Sequence, residues 1–276
     1  TKGMQTSGKK LPGAYGANEP KQNAANLRTK GWELMLTWND AFKLANKPFR
    51  YNLSVGLADN TSEITKFDNP SKILSDYYVG QKLGDIWGYV VDGLFRTDEE
   101  AANYNVDQTA VNFVINTAQV NPGLHAGDMK FVDLDGDHTI SSGSNTADDP
   151  GDRKIIGNSL PRYTYSIQGG FDWYGFDFSI YLQGVGHQDW YPGTNSVFFW
   201  GPYARPYSSF IPRDFLSQVW SPENPDAYFP RPIGYLALGN NRSLGVVNDR
   251  YLQNLAYCRV KNITVAIRFP PYGRRR

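Results

Sequence analysis

The sequence predicts an all-β protein built from long strands with two different faces. Aromatic residues make up 14% of the chain, with 18 Tyr, 15 Phe and 7 Trp, and turn-forming Gly and Pro number 27 and 17. This composition is typical of many strands joined by turns. The mean hydropathy is -0.51, and the sequence has no run of about 18 apolar residues, which excludes a transmembrane helix. Soluble sugar-binding β domains and outer-membrane β-barrels share these properties, because barrel strands alternate and look polar on average.

Five segments alternate between apolar and polar residues, which is the period of a β-strand. Their apolar positions are Trp32, Leu34, Leu36 and Trp38; Phe49, Tyr51, Leu53, Val55 and Leu57; Tyr163, Tyr165, Ile167 and Phe171; Phe176, Phe178, Ile180 and Leu182; and Ile263, Val265, Ile267 and Phe269. Each segment extends over about 9–11 residues, enough to cross a bilayer when tilted. Aromatic residues at the segment ends suit an interfacial girdle. The strands of a soluble β-sandwich also alternate, so periodicity alone leaves both folds open.

Connection lengths favour the barrel. Residues 40–48 and 172–175 are short connections, whereas residues 58–161 and 187–254 are long. Outer-membrane barrels alternate short periplasmic turns with longer extracellular loops. We therefore predict part of a large antiparallel transmembrane β-barrel with two extracellular loop regions.

The first loop region contains predicted elements of its own. Residues 84–96 look strand-like and are assigned to the loop, because a membrane crossing there would put the long connection on the periplasmic side. A short helix is predicted from Asp98 to Tyr104, with acidic residues in its first turn, and a second over residues 107–120.

Several function classes are excluded or poorly supported by composition. The formal net charge of +1 argues against nucleic-acid binding. One cysteine, Cys258, allows no internal disulfide, and packing is the expected role of this small residue. The three His residues have no metal-ligand spacing, and no nucleophile elbow, P-loop or dinucleotide fingerprint occurs. We expect no enzyme activity and no required cofactor. The chain also has no secretory leader, so we expect either a cytoplasmic protein or the later part of a longer chain.

Motifs along nearly the whole chain resemble the C-terminal region of the SusC/RagA family of TonB-linked outer-membrane proteins. In sequence order, the similar segments are residues 26–34, 88–100, 127–137, 152–158, 174–184, 220–225 and 251–270. Residues 88–100, for example, are similar to the family segment GYxxDGIFQTxEE, and residues 220–225 to WTPENP. Each motif alone is weak, but seven in the family order are specific.

The resemblance implies a 22-stranded barrel filled by an N-terminal plug, located in the outer membrane of a Bacteroidetes-like cell and in contact with its lipid. It further implies import of glycans or peptides, driven by TonB, together with a SusD-like surface lipoprotein. On this view residues 1–276 are the C-terminal portion of the barrel, and the plug, the TonB-contacting part and the remaining strands lie outside the chain. The alternatives are a soluble carbohydrate-binding or adhesion module, and an inactive remnant.

An acidic motif in the first loop predicts a cation site. Asp133, Asp135 and Asp137 have the spacing of the first ligands of an EF-hand loop, and Asp152 could close the site. His138 stands where that loop has glycine, which departs from the pattern. A structural calcium ion is one expectation; a turn-rich loop with hydrated carboxylates is the other.

The second loop is rich in aromatic residues, which suit sugar stacking or a protein interface. Trp190, Tyr191 and Trp200 are the candidate ligand contacts, whereas Phe198 and Phe199 are expected to pack within the loop.

Two cationic residues raise a separate question in the last strand. Arg259 and Lys261 share the phase of Ile263 on the predicted lipid face. They should therefore lie above the hydrocarbon band, unless a β-bulge turns them into the lumen.

Overall fold

A curled antiparallel sheet forms one wall of the protein. The computed structural model describes residues 1–7, 21–111, 123–204, 211–239 and 242–269. The wall has six strands in the order β1-β2-β3-β8-β9-β12. Their bounds are β1 (Met4–Ser7), β2 (Lys21–Leu44), β3 (Lys47–Lys66), β8 (Arg162–Trp173), β9 (Phe176–His187) and β12 (Tyr257–Ile267). The predicted all-β fold is confirmed, and every wall strand is antiparallel to its neighbours.

Two tight hairpin turns join wall strands at the same end of the sheet. Ala45 and Asn46, with φ of 49 and 62°, connect β2 to β3, and Tyr174 and Gly175, with φ of 51 and 84°, connect β8 to β9. Two consecutive residues with positive φ are the mark of a type I′ turn, whose twist matches that of the flanking strands. The short connections predicted from sequence are therefore real turns.

The first hairpin extends beyond the length that the sequence predicts. β2 has 24 residues and β3 has 20, so the following loop region begins after Lys66 rather than at residue 58. The extension pairs through polar contacts instead of an apolar pattern. The Thr29 and Ser62 hydroxyls lie 2.8 Å apart, and Arg28 donates to Glu63 at 2.8 Å. Hydropathy alternation fades there, so alternation alone predicts strands that are shorter than the observed β2 and β3.

The two long loops carry the remaining elements. Three short antiparallel pairs lie in them: β4 (Asp85–Tyr89) with β7 (Arg153–Asn158), β5 (Val91–Leu94) with β6 (Met129–Phe131), and β10 (Asp189–Trp190) with β11 (Gln253–Asn254). Helices α1 (Asp98–Ala102) and α2 (Val197–Trp200) are the two short α-helices of the described chain. The strand-like segment 84–96 therefore forms β4 and β5, which pair outside the wall. The helix predicted over residues 107–120 falls mostly outside the described residues, since residues 112–122 are not among them.

Helix α1 begins as its sequence predicts. The Thr97 hydroxyl accepts a hydrogen bond of 3.1 Å from the Glu100 backbone N–H, and the Glu100 carboxylate accepts one of 2.8 Å from the backbone N–H of Arg96. This arrangement satisfies free N–H groups at the helix start.

Both long loops share one hydrophobic core. It combines residues of the first loop, such as Met129, Phe131 and Ile140, with Trp200, Phe229 and Tyr251 of the second. The rings of Phe229 and Tyr251 stack at 5.9 Å, and that of Trp200 meets Tyr251 edge-on at 5.2 Å. We call this packed unit the loop domain. Within the described part of the chain, no helix has the length and apolar character needed to span a membrane.

Candidate functional site

One face of the wall is apolar across five neighbouring strands. The register aligns Leu34, Leu36, Trp38 and Phe42 of β2; Phe49, Tyr51, Leu53, Val55 and Leu57 of β3; Tyr165, Ile167, Phe171 and Trp173 of β8; Phe176, Phe178, Ile180 and Leu182 of β9; and Cys258, Val260, Ile263, Val265 and Ile267 of β12. Leu36 is 60% exposed and Ile263 56%. Burying such a face against water-free surroundings is strongly favourable. Along β3 the band from Phe49 to Leu57 is about 26 Å long at roughly 3.3 Å per residue.

Aromatic residues collect where this face reaches the hairpin turns. Phe42 and Phe49 have ring centroids 5.0 Å apart, Phe49 stacks on Phe171 at 5.4 Å, and Phe171 lies 5.8 Å from Phe176. A belt of rings at one edge of an apolar band about 25 Å tall is the arrangement of an interfacial girdle in outer-membrane barrels. Of the strand-end aromatic residues predicted to form a girdle (Trp32, Trp38, Phe49, Phe171, Phe176 and Phe269), Phe49, Phe171 and Phe176 have this geometry.

The opposite face of the wall is polar. Across the strands it carries Thr37, Asn39, Asn52, Ser54, Ser166, Gln168, Ser179, Tyr181, Gln183, Asn262 and Thr264. Near the turns, Arg268 donates two hydrogen bonds of 2.8 Å to Asp177 and lies 3.3 Å from Asp172. The curled sheet therefore has one apolar and one polar surface, which is the division that a barrel wall requires.

A β-bulge in β12 places Arg259 on the polar face. Val260 pairs with Leu182 and Asn262 with Tyr181, so Lys261 is an extra residue without a partner on β9. Arg259 faces Gln183, and its guanidinium lies 4.2 Å from the centroid of the Tyr257 ring. Strict alternation from Ile263 places Arg259 on the apolar face, and this prediction is wrong. The alternative, a β-bulge that turns the side chain to the other face, is correct for Arg259.

One ion pair joins two strands of the wall, and Asp189 links the wall to the loop domain. Arg162 donates two hydrogen bonds of 2.6 Å to Asp59, across a sequence separation of 103 residues. Asp189, 6% exposed, accepts 2.9 Å contacts from the Asn158 backbone N–H and the His187 ring. Sequence reasoning missed the contacts of Arg162 with Asp59 and of Asn158 with Asp189, because no local pattern reveals partners so far apart in the chain.

The three candidate ligand residues occupy different surroundings. Trp190 is 42% exposed, and its ring meets Phe199 edge-on at 6.4 Å. The Tyr191 hydroxyl donates to the Val246 carbonyl at 2.8 Å, and burial raises the pKa of that hydroxyl far above its ordinary value. Trp200 has no exposed surface, and its indole N–H donates to the Gly193 carbonyl at 3.0 Å. Trp190 alone of the three offers a ligand an open ring, whereas Trp200 is a core residue.

The neighbouring phenylalanines divide in the same way. Phe199 packs in the loop-domain core as the sequence predicts, while Phe198 is 85% exposed, contrary to the packing expected of it. The two side chains leave the short helix α2 in different directions, which a sequence pattern of four residues does not reveal.

The acidic motif forms a tight loop. One carboxylate oxygen from each of Asp133, Asp135 and Asp137 lies within 4.8 Å of the others. Asp133 accepts hydrogen bonds from the backbone N–H groups of Gly136 at 2.6 Å and His138 at 2.9 Å, and the first of these holds the pKa of Asp133 below its ordinary value. His138 adopts a φ of 62°, in the left-handed region that glycine occupies in an EF-hand loop.

Asp152 has a different position from the other three carboxylates. It is fully buried, and its two oxygens accept hydrogen bonds of 2.7 Å from the backbone N–H groups of Leu134 and Ser141. It does not belong to the group formed by Asp133, Asp135 and Asp137 among the described residues. Its contacts make it the anchor of the loop.

Comparison with known proteins shows what the chain resembles in sequence and in fold. No protein-family model matches the chain. The chain is 24% identical to TonB-dependent receptor P39 of Formosa agariphila, over 95% of its own length and 26% of the receptor. It is 23% identical to TonB-dependent receptor P3 of the same organism, over 94% of its length and 23% of that receptor. The chain thus spans about a quarter of the length of these relatives.

A solved structure shares the fold. The structure of the RagAB peptide transporter covers 92% of this chain with a TM-score of 0.55 and 14% sequence identity, and the match takes up 24% of that chain. The two curated relatives are thus TonB-dependent receptors, and the solved structure is that of a peptide transporter. The chain is therefore similar, over nearly its whole length, to about a quarter of these TonB-dependent receptors, and it shares its fold with part of the RagAB peptide transporter.

Proposed function

We propose that this chain forms part of the wall of an outer-membrane importer of large nutrients, either glycans or peptides, powered through TonB. The observation that carries the proposal is the division of the wall into an apolar face and a polar face over five strands. The apolar band has the height of a bilayer core, and the polar face can line an aqueous lumen. A soluble β-sandwich would instead cover its apolar face with a second sheet.

The proposed location is the outer membrane of a Bacteroidetes-like cell. The loop domain would lie on the outer surface, because long loops of such barrels are extracellular and the tight turns periplasmic. Contact with TonB is assigned to a part of the transporter outside this chain.

A SusD-like lipoprotein is the proposed partner at the cell surface. The loop domain presents apolar side chains that its own core does not use, since Phe198 is 85% and Leu216 83% exposed. Exposed apolar residues on a compact surface support contact with a protein partner. Copurification of such a lipoprotein with the transporter, and its loss when both residues are changed to serine, is the expected result.

The nutrient contact is proposed for the outer surface of the loop domain. Trp190 remains the candidate there because its ring is accessible and meets Phe199 edge-on, and Phe199 in turn packs against the buried Trp200. Replacement of Trp190 by alanine should reduce nutrient uptake by the full-length transporter, while unchanged uptake would remove Trp190 from the ligand site.

A structural calcium ion is proposed for the loop of Asp133, Asp135 and Asp137. Oxygen ligands from alternate residues suit a hard cation, and binding would relieve repulsion between the three carboxylates. Millimolar calcium should raise the melting temperature of the transporter and have no such effect on the Asp135→Asn variant. An equal melting temperature with and without calcium would reject the site.

Accessibility of neighbouring side chains tests the membrane assignment. Leu36 lies on the apolar face and Thr37 on the polar face. In a Cys258→Ser background, a water-soluble maleimide should label Thr37→Cys in outer-membrane vesicles opened to the reagent, and leave Leu36→Cys unlabelled until detergent or denaturant is added. Equal labelling of the two positions in the membrane would refute the wall.

A further inference from the structure

A depression on the loop domain brings together three distant segments of the chain. Its walls are Val91, Asp226, Tyr228, Asp249 and Arg250. The Asp249 backbone N–H donates to the Tyr89 carbonyl at 3.0 Å, and the Val91 N–H donates to one oxygen of the Asp249 carboxylate at 2.9 Å. These bonds fix the Asp249 side chain at the floor of the depression.

The two charged residues next to each other in sequence retain unused hydrogen-bonding capacity. The second carboxylate oxygen of Asp249 has no partner among the described residues. Arg250 donates from Nε to the Tyr228 carbonyl at 3.1 Å and from one terminal nitrogen to the Ala227 carbonyl at 2.5 Å. Its other terminal nitrogen makes no hydrogen bond within the described residues. The depression therefore offers one acceptor and one donor, both charged and both already oriented.

Tyr228 adds a fixed aromatic surface. Its side chain is 38% exposed, and its hydroxyl accepts a hydrogen bond of 2.8 Å from Gln253. Its ring meets Phe229 edge-on at 4.9 Å and Tyr251 at 5.4 Å. Because Phe229 and Tyr251 already fix the Tyr228 ring, a ligand can stack on its exposed surface without a further loss of side-chain conformational entropy.

The charge balance selects against ionic ligands. Asp226 is paired with Arg96 at 2.7 Å, so the charges of Asp249 and Arg250 balance each other. An anion would be repelled by the Asp249 carboxylate, and a cation would be repelled by the Arg250 guanidinium. A neutral ligand with a flat C–H face and adjacent hydroxyl groups can stack on the ring, donate to the carboxylate and accept from the guanidinium.

We propose that Tyr228, Asp249 and Arg250 form a binding subsite for a neutral sugar residue. The ring stacks on the apolar face of the sugar, Asp249 accepts a hydrogen bond from one hydroxyl, and Arg250 donates to its neighbour. This inference rests on the proposed import function and narrows the nutrient to a neutral oligosaccharide.

Calorimetric titration of the full-length transporter in detergent tests the subsite. The probes are neutral hexasaccharides of glucose, mannose, xylose and galactose, an acidic hexasaccharide of galacturonate, and an uncharged hexapeptide. At least one neutral hexasaccharide should bind. Asp249→Asn keeps an oxygen for the Val91 N–H but converts the free acceptor to an amide, and should weaken binding by about tenfold or more. Asp148→Asn, on an exposed ion pair with Lys72, is the matched control and should bind as the parent does.

A pair of changes at Tyr228 separates stacking from folding. Tyr228→Phe keeps the ring and should retain binding, whereas Tyr228→Leu should lose about tenfold or more if stacking contributes. Failure of every neutral sugar to bind, preference for the peptide or the acidic sugar, or full affinity in Asp249→Asn would overturn the subsite. Maleimide labelling of Thr37→Cys and Leu36→Cys reports on the wall independently, so loss of the sugar site would leave the import proposal standing.

Discussion

Val260 faces Leu182 across the last pair of wall strands, and Asn262, two residues further on, faces Tyr181, the immediate neighbour of Leu182. One residue of β12 is thus unmatched, and the side-chain alternation reverses at Lys261. The reversal keeps Val260 and Ile263 on the same face although they are three residues apart. It also sends Arg259 to the polar side, where a charge is hydrated and not exposed to acyl chains.

The faces assigned to adjacent residues of β12 predict opposite outcomes for the same substitution. Ile263 lies on the apolar face in the middle of the band, and Asn262 lies on the polar face. Ile263→Arg should destabilise the folded barrel by about 2–4 kcal/mol, because the charge would sit near the bilayer midplane. Asn262→Arg should cost less than about 1 kcal/mol, as a solvated lumenal residue. Refolding of the full-length protein into lipid vesicles across a urea series measures both. Equal losses would contradict the register of β12.

Strand alternation and turn chemistry are local, and this part of the fold could be predicted from the sequence. In β8 and β9, about ten residues of alternating sequence are enough to show which side chains share a face, and Gly175 indicates the turn between the two strands. The bulge at Lys261 could not be predicted, because it is a register shift that depends on β9 and leaves no mark in β12 itself.

In the candidate sites too, features formed by residues close in sequence could be predicted, and features formed by residues far apart could not. The acidic loop was visible as three carboxylates at alternate positions. The burial of Trp200 could not be predicted, because its ring packs against Tyr251, which lies far along the chain. The depression around Tyr228 and Asp249 is likewise built from segments far apart in sequence, so composition gave no indication of it.

Two aromatic residues of α2 should respond differently to truncation. Trp200 is fully buried, and Phe198 is 85% exposed. Trp200→Ala should destabilise the loop domain by about 3–5 kcal/mol through the cavity that it leaves. Phe198→Ala should leave loop-domain stability within about 0.5 kcal/mol, as for a surface site. Limited proteolysis of the loop domain in intact cells reports the difference. Rapid cleavage of both variants would argue against the packing of this helix.

A glycine at the junction between the loop domain and the wall should not accept a methyl group. A Cβ on Gly157 would lie 2.6 Å from an Asp189 carboxylate oxygen and 2.8 Å from a Leu252 methyl carbon. Gly157→Ala should therefore cost about 1–3 kcal/mol, since strand β7 or Asp189 must move. Gly193→Ala is the control, because nothing lies within 4 Å of its Cβ. Hydrogen exchange of β7 and β10 should accelerate in Gly157→Ala and not in Gly193→Ala. Unchanged exchange in Gly157→Ala would show that β7 and Asp189 can move apart at little cost.

The start of α1 should lose stability in acid. The hydrogen bond from the Arg96 backbone N–H, with smaller contributions from Lys130, holds the pKa of Glu100 below its ordinary value of 4.5. A carboxyl group whose pKa is depressed by folding stabilises the folded state above its unfolded pKa, and this contribution disappears as pH falls through the folded pKa. Protection of the α1 amides from hydrogen exchange should therefore be pH-independent above the ordinary value and decrease below it. Glu100→Gln should show lower protection at neutral pH and less additional loss in acid, whereas Glu99→Gln should follow the parent profile. Because the Glu100 side chain is 36% exposed and therefore partly screened by solvent, the change should be confined to this helix. An acid profile that is identical in the parent and in Glu100→Gln would show that another group controls the helix start.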